Sequence, residues 1–276
     1  MSQPAHLASP FASRIRRWRG LFRIYLSDML AYPATVTIWV LTDVVGAFVM
    51  PLVWLAAQGS GGLGGYTPEG LVLYYVSMLL VAGFVTSHFM WDIGMEIKEG
   101  LFSAHVLRPV SYLEFILCRN AAWRIGRSMV TLPWFVLIAL AFGGTIGSAT
   151  VFLGWQTFAA VLLGHLVSIS TVLAIAMLAL FFEEARSIFE IYYVPMLFLS
   201  GQMFPVSMLP GWTVWLAKAT PFYYTTGVPT EILVGRLSGE DALWAMSGQV
   251  VWIVIGLVAF KILFRLGMRR YSAVGL

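Results

Sequence analysis

Long apolar runs separated by short polar breaks dominate the sequence. About 17 to 25 apolar residues in a helix cross the hydrocarbon core of a bilayer, and six runs meet that length. The pattern predicts an all-α membrane protein with a single domain over residues 1–276. Its six transmembrane helices are predicted over residues 34–57, 69–93, 128–146, 151–182, 188–204 and 244–264.

A basic amphipathic segment, residues 14–30, precedes the first apolar run. Its large apolar residues recur at intervals of three and four, so a helix would place them on one face. Arginines occupy another face, and helices of this kind lie among the lipid headgroups rather than across the membrane. We predict an interfacial helix whose apolar face holds Ile15, Trp18, Phe22, Tyr25 and Met29.

One polar interruption is much longer than the others. Residues 92–127 carry four acids and five bases between two apolar runs that carry almost none. A charged, amphipathic stretch of this length presents a surface to water or to another protein. We predict that residues 94–127 form a segment that contacts a separate subunit.

Composition excludes a soluble protein. Of the 276 residues, 59% are hydrophobic and 11% charged, against about 25% charged residues in soluble domains. The 17 lysines and arginines are unevenly placed: 15 lie on the side of both termini and the long interruption, and only Lys218 and Arg236 lie on the other. Positive residues favour the cytoplasmic side, so both termini and residues 94–127 are predicted to be cytoplasmic. The single cysteine, Cys118, excludes an intrachain disulfide and is interpreted as a small buried apolar residue.

The stretch between the last two predicted spans, residues 205–243, is a broken apolar segment. Two pieces of it, WTVWLAKA and TEILVG, can each form a short helix, and prolines interrupt the rest. Broken helices are tolerated at membrane depth where protein covers their backbone. We predict an extracytoplasmic re-entrant helical segment over 205–243.

Three motifs follow one another in a recognisable order. The first is EIKEG at 96–100, followed by the apolar helix and proline of LFSAHVLRPVSYLEFIL at 101–117. The others are SGQMFPVSMLPGW at 200–212 and TPFYYT at 220–225. Together with six spans and an amphipathic N-terminal helix, they resemble the membrane subunit of a type-2 ATP-binding-cassette (ABC) exporter, over nearly the whole chain.

The resemblance implies a permease of the bacterial cytoplasmic membrane that works with two ABC ATPase subunits and with a second copy or a paralogous permease. It implies ATP-driven export by alternating access, with membrane lipids around the spans and no nucleic-acid partner. The sequence has no G-x-x-x-x-G-K-[ST] loop, so ATP and Mg are expected in the partner ATPase and no cofactor in this chain. LSGQ at 199–202 is interpreted as a chance likeness to an ATPase signature.

The long interruption is where the resemblance places the contact with the ATPase. A solvated charged helix is the simpler interpretation, but few other roles explain such a break between spans. Glycine permits a bend at positive φ, and aromatic and aliphatic anchors carry most interface energy. The predicted ATPase-coupling residues are Glu96, Glu99, Gly100, Phe102, Val106 and Leu107, with Phe102, Val106 and Leu107 as the anchors.

Aromatic residues and Met in the first, second and fifth spans could line an adaptable substrate pathway, although lipid-facing residues have the same character. Asp43 could bind a cationic substrate or pair with a polar group between packed helices. The pathway residues predicted are Trp39, Asp43, Phe48, Phe84, Tyr192 and Met196, and the predicted outer gate holds Phe204, Pro205, Trp212 and Phe222. The expected cargo is amphipathic or hydrophobic: a drug, a lipid or a peptide.

Other functions remain open. An intramembrane lipid-modifying enzyme would use Asp43, His88, Asp92 or His165, which would have to converge from different depths. His88 and Asp92, four residues apart, could instead pair on one helix face. A non-transporting assembly factor would bind its partner through residues 92–127, and an uptake permease would need an outer docking surface. No catalytic motif and no metal-ligand spacing occur, so neither catalytic residues nor a metal are predicted.

Overall fold

The computed structural model describes residues 10–58, 64–108, 110–147, 149 and 151–271. Within these ranges the chain is helical and contains no β-strand, which confirms the predicted all-α class. The helices in chain order are α1 (Pro10–Ala31), α2 (Pro33–Gln58), α3 (Pro68–Val85), α4 (Met90–Lys98), α5 (Leu101–Val106), α6 (Tyr112–Ala141), α7 (Gly143–Ile146), α8 (Trp155–Ala176), α9 (Arg186–Leu199), α10 (Gly211–Lys218), α11 (Val228–Leu233) and α12 (Gly239–Met268).

Five segments of the described chain are long and apolar enough to cross a membrane. They correspond to the first four and the last of the predicted spans. Each segment either extends beyond the apolar run that predicted it or begins within a few residues of the start of that run. Their bounds are Pro33–Ala57, Pro68–Lys98, Tyr112–Ala141, Trp155–Leu180 and Gly239–Met268.

The fifth predicted span is shorter than the sequence pattern suggests. We predicted a helix over 188–204, but α9 ends at Leu199 and has 14 residues. At 1.5 Å per residue it is about 21 Å long, which is less than the roughly 30 Å of a hydrocarbon core. A sixth crossing at this position remains a prediction.

The second predicted span is broken near its end. Helix α3 stops at Val85 and α4 starts at Met90. The hydroxyl of Thr86 donates to the carbonyl of Ala82 at 2.8 Å, and the backbone N–H of Ser87 donates to Oγ of Ser168 on α8 at 2.9 Å. The Ser168 hydroxyl thus satisfies a backbone N–H that has no partner within the broken helix.

Helix α6 crosses the predicted boundary between the charged segment and the third span. It runs without a break from Tyr112 to Ala141, whereas the sequence placed the start of the span at residue 128. The second half of the predicted cytoplasmic segment 94–127 is therefore the first half of a long helix. Two of its arginines, Arg124 and Arg127, lie in the interior of the fold with exposed fractions of 5% and 3%.

The N-terminal helix packs on the beginning of α6. The structure extends the predicted segment 14–30 to Pro10–Ala31. Nε1 of Trp18 donates to Oε1 of Glu114 at 3.2 Å, and Nε of Arg14 lies 3.1 Å from the same oxygen. The predicted apolar face is thus turned towards α6 at Trp18, while Ile15 remains 40% exposed.

The segment 205–243 consists of short helical pieces packed on α3, α8 and α12. The predicted short helices correspond to α10 and α11, and a π-helical turn, Tyr223–Gly227, precedes α11. Tyr74 and Tyr75 of α3 donate from their hydroxyls to the carbonyls of Gly201 and Met203, each at 2.9 Å. These bonds fix the turn between α9 and this segment to α3.

Helix α8 approaches this segment very closely. A Cβ atom added at Gly164 would lie 2.3 Å from the carbonyl oxygen of Thr225, so only glycine fits there. Next to it, the side-chain amide of Gln249 on α12 donates to the carbonyls of Ala160 and Tyr224 at 3.0 and 2.9 Å. Helices α8 and α12 and the π-helical turn therefore meet at one tightly packed point.

Candidate functional site

The predicted coupling region is a helix–turn–helix made of α4, Gly100 and α5. Gly100 has φ +76°, which a residue with a side chain rarely adopts. The turn at Gly100 separates α4 from α5. Ser111 precedes the first turn of α6.

Glu96 holds this turn against α6 from inside. Its carboxylate accepts a 2.5 Å hydrogen bond from the hydroxyl of Tyr112 and forms an ion pair with Arg119. The Glu96 side chain is 15% exposed and the Arg119 side chain 23%. We predicted Glu96 as a contact for a partner; its place in the structure is in an internal connection between α4 and α6. A second ion pair, Lys98 with Glu184 at 2.9 Å, is exposed and contributes about 0–1 kcal/mol.

Phe102 is not available to a partner. We predicted it as one of three anchors that fit a cleft in the ATPase, but its side chain is fully buried. It packs edge-on against the rings of Tyr112 and Tyr271, with centroids 4.8 and 5.2 Å away. Since α5 has a single buried position, Phe102 is the residue that fixes α5 to the rest of the chain.

The outward side of this turn is a compact, partly apolar surface. We call it the α5 surface and define it by Glu99, Leu101, Val106, Leu107 and Arg108. Leu107 is 86% exposed, Leu101 53% and Val106 41%. Three aliphatic side chains grouped on a short turn, with charged residues at the edge, are typical of a protein-binding surface.

The imidazole of His105 lies behind the α5 surface. It packs against the rings of Tyr112 and Phe115, with centroids 5.5 and 5.0 Å away. Burial lowers the pKa of His105 from its ordinary value, so the side chain is neutral at neutral pH. The α5 surface therefore carries charge at Glu99 and Arg108, one of each sign.

Two of the predicted pathway residues lie together around an ion pair. Asp43 on α2 pairs with Arg127 on α6. Trp39, one turn before Asp43, is 48% exposed and stacks on His88, with ring centroids 6.4 Å apart. Asp43 thus has a polar partner between helices, which is one of the two interpretations that the sequence left open.

The remaining pathway residues are not brought to this place. Phe48 packs on Phe142, at 5.6 Å between centroids, and Phe84 lies beside His165. Tyr192 and Met196 are buried in the core that includes α4, α8 and α9. Of the six predicted pathway residues, only Trp39 and Asp43 share one exposed surface of this chain with each other.

The polar residues considered for catalysis have separate contacts among the described residues. Nδ1 of His165 donates to the carbonyl of Val85 at 2.9 Å, and Nε2 accepts from Asn120 at 3.3 Å. His88 lies in the break after α3, among the rings of Trp39, Trp91 and Tyr193. The predicted i,i+4 pairing of His88 with Asp92 presupposes one continuous helix, and the break removes that geometry.

The predicted outer-gate residues do not form a single cluster. Phe204 packs edge-on against Trp54 and stacks on Phe198, at 5.7 and 5.8 Å between centroids. Pro205 is buried, and Phe222 lies 5.4 Å from Tyr192. Trp212 is 72% exposed and stands apart from the others.

Comparisons with known proteins agree with this architecture. The family model described as "ABC-2 family transporter protein" matches residues 38–275. The chain is also 29% identical, over 203 residues, to nodulation protein J of Rhizobium meliloti (strain 1021); the match covers 71% of this chain and 75% of that protein. With five apolar helices of membrane-spanning length, the chain is a multi-pass membrane protein, and it belongs to the ABC-2 transporter family, whose members are the transmembrane, non-catalytic subunits of ABC transporters.

Proposed function

We propose that this chain is the membrane subunit of an ABC exporter that takes up mechanical force from two ATPase subunits at the α5 surface. The observation that carries the proposal is the exposed aliphatic group of Leu101, Val106 and Leu107, held in place by a buried Phe102. A surface used to transmit force has to be attached rigidly to the helices that move. The internal contacts of Glu96 and Phe102 supply that attachment.

Force can reach the long helix α6 by two routes, one through α4 and one through α1. One runs from Glu96 to Tyr112 and Arg119 on the first turns of α6. The other runs from α1, where Trp18, Arg14 and Arg17 contact Glu114. Both routes end on the same stretch of α6, and Arg127 further along it contacts α2 through Asp43. A push on α5 is therefore expected to tilt α6 and move α2.

The placement of these parts supports the export by alternating access that we propose. ATP binding closes the ATPase pair and changes the position of α5, α6 and α2 in each of two permease subunits. The segment 205–243, which packs on α3 and α8, covers the outer end. The second permease is a second copy or a paralogue, and the cargo is amphipathic or hydrophobic. ATP shifts the balance between the inward and outward states by binding one of them better.

The proposed orientation places the α5 surface and both termini in the cytoplasm of a bacterium, with the chain in the inner membrane. The strongest support is the 15-to-2 distribution of basic residues. ATP and Mg bind in the partner subunit in this scheme, and the present chain contributes no residue to hydrolysis.

Reconstitution tests the function directly. The chain is co-expressed with the ABC ATPase of its own organism, purified through a tag on this chain and placed in proteoliposomes with a fluorescent phospholipid. We expect the ATPase to be retained on the tagged chain. We also expect ATP to drive movement of the probe, or of a compound from a cell extract, across the membrane, and this movement should stop when the ATPase is made hydrolysis-deficient. Lipid modification by the chain alone, or a chain that never retains an ATPase, would contradict the proposal.

A further inference from the structure

Two buried arginines on α6 form a positively charged cluster in the middle of the fold. Arg124 and Arg127 are three residues apart, so they lie on one side of the helix, and they are 5% and 3% exposed. Nη1 of Arg124 donates to the carbonyl of Gly83 on α3 at 2.9 Å. Nη2 of Arg127 forms the ion pair with Asp43.

The charges of this cluster do not balance within the described chain. Among the described residues, Asp43 is the one carboxylate that forms an ion pair with either arginine. Two guanidinium groups thus share a single carboxylate. In addition, Nε and Nη2 of Arg124 and Nε of Arg127 are buried without a hydrogen-bond partner among the described residues. Buried charged donors without acceptors are costly, so these atoms favour an additional anionic acceptor.

Asp43 lies on the open side of the cluster. Its side chain is 36% exposed, whereas that of Arg127 is 3% exposed. Its carboxylate therefore covers Arg127 from the accessible side. An anion that arrives from that side meets Asp43 first and can take its place on Arg127, while the displaced carboxylate turns to the open side.

An exposed aromatic surface adjoins this position. Trp39 is one turn from Asp43 on α2 and is stacked on His88, and the ring of Tyr193 lies 5.7 Å from that of His88. These rings offer an apolar surface next to a positive cluster. The combination matches a molecule with an anionic head and an apolar body.

We propose that Arg124 and Arg127 bind the phosphate or carboxylate head of an amphipathic molecule, which displaces Asp43 and lays its apolar part on Trp39. Guanidinium groups bind both anions through paired N–H donors. Binding needs neither ATP nor an ATPase; that the bound anion is the exported cargo rests on the proposed export function. The proposed ligand has the opposite charge to the cationic cargo that Asp43 suggested in the sequence, because Arg127 already neutralises that carboxylate.

Direct binding to the full-length chain tests this site. The chain is placed in phosphatidylcholine nanodiscs without ATP, and binding of a fluorescent dodecyl phosphate is compared with that of the matching uncharged dodecanol, after subtraction of protein-free nanodiscs. We expect the phosphate to bind at least about tenfold more tightly, the usual effect of a charge-assisted contact. Equal binding of the two probes would overturn the proposal.

Two substitutions give opposite predictions. Arg127→Gln removes a donor and should weaken phosphate binding by about tenfold or more. Asp43→Asn removes the competing carboxylate and should tighten it. If the side chains of Arg124, Arg127 and Asp43 only hold the helices together, the two substitutions shift phosphate binding in the same direction or leave it unchanged. Either result would contradict the proposal. Arg265→Gln, at an exposed position of α12, is the matched control and should change nothing.

A double variant and a lipid arm complete the test. Should Arg127→Gln alone not fold, the variant with both Asp43→Asn and Arg127→Gln carries no unpaired carboxylate and is expected to bind the phosphate more weakly than the chain with Asp43→Asn alone. Adding phosphatidylglycerol to the nanodiscs identifies the source of the anion: competition assigns the site to a lipid headgroup, and unchanged affinity assigns it to a compound that arrives from water. Either result supports the anion site and is independent of whether flux is observed.

Discussion

A chain carrying Leu107→Asp is expected to fold and insert normally and to lose its ATPase partner. Leu107 is 86% exposed, so the substitution removes no packing within the chain, and surface changes of this kind alter stability by less than about 0.5 kcal/mol. At the centre of an interface, a carboxylate on an aliphatic anchor position costs 2 kcal/mol or more, which is about thirtyfold in affinity. The amount of ATPase retained on the tagged chain measures the effect, and ATP-driven flux should fall with it.

Leu153→Asp is the matched control for this experiment. Leu153 is also an exposed leucine outside the helices, at 64%, and it precedes α8 at the proposed outer end of the bundle. It should leave ATPase retention unchanged. Retention of the ATPase by the Leu107→Asp chain at the level of the control would show that the α5 surface is not the docking site.

Replacing Gly164 with alanine is expected to lower the thermal stability of the chain by several degrees. The added Cβ would lie 2.3 Å from a backbone oxygen, that of Thr225, and 3.1 Å from Cγ of Pro229. Backbone cannot move aside as a flexible side chain does, and forced overpacking costs about 1–3 kcal/mol. The melting temperature in detergent, followed by a thiol-independent fluorescence or light-scattering readout, measures the loss.

Gly20→Ala is expected to raise the melting temperature rather than lower it. Gly20 lies in α1 with no atom within 4 Å of an added Cβ, and alanine is favoured over glycine in a helix by up to about 1 kcal/mol. The same chemical change is thus expected to stabilise one helix and destabilise another. If Gly164→Ala left the melting temperature unchanged or raised it, the close approach of α8 to the outer segment would be wrong.

The sequence pattern located most of the long helices because burial in a membrane demands length and apolarity, and both are visible in one dimension. The predicted span 244–264 and α12 (Gly239–Met268) illustrate this. The same pattern located the ends of the helices poorly. Helix α6 continues through charged residues because Arg119 pairs with Glu96 and Arg127 with Asp43, partners that are distant in sequence.

The break after α3 could not be predicted from the sequence. Thr86 and Ser87 lie in an apolar run. The backbone N–H of Ser87 finds its acceptor, the hydroxyl of Ser168, 81 residues away. The short length of α9 was missed for a related reason. Its apolar run continues through Ser200 and Gly201 to Phe204, and apolarity alone does not distinguish a helix from a buried turn.

The coupling turn was predicted from the sequence, but which of its residues are buried was not. Gly100 was identified because a positive φ has a sequence signature, and Leu107 and Val106 were identified as exposed anchors of the turn. Phe102 was assigned to the outer surface because a helix of six residues gives too few positions for periodicity to show which side is buried. Arg124 and Arg127 were counted as cytoplasmic charges, although their spacing of three within an otherwise apolar stretch was a signal that they share one side of a helix.

Labelling of a single introduced cysteine tests the central claim most directly. The native Cys118 is 1% exposed, so Leu107→Cys adds one reactive thiol, and a membrane-impermeant maleimide reports which side it faces. We predict labelling of Leu107→Cys in inside-out membrane vesicles but not in intact cells, and protection from labelling when the ATPase is co-expressed. Labelling from outside the cell, or labelling in vesicles that the ATPase does not diminish, would contradict the claim that this turn receives the ATPase.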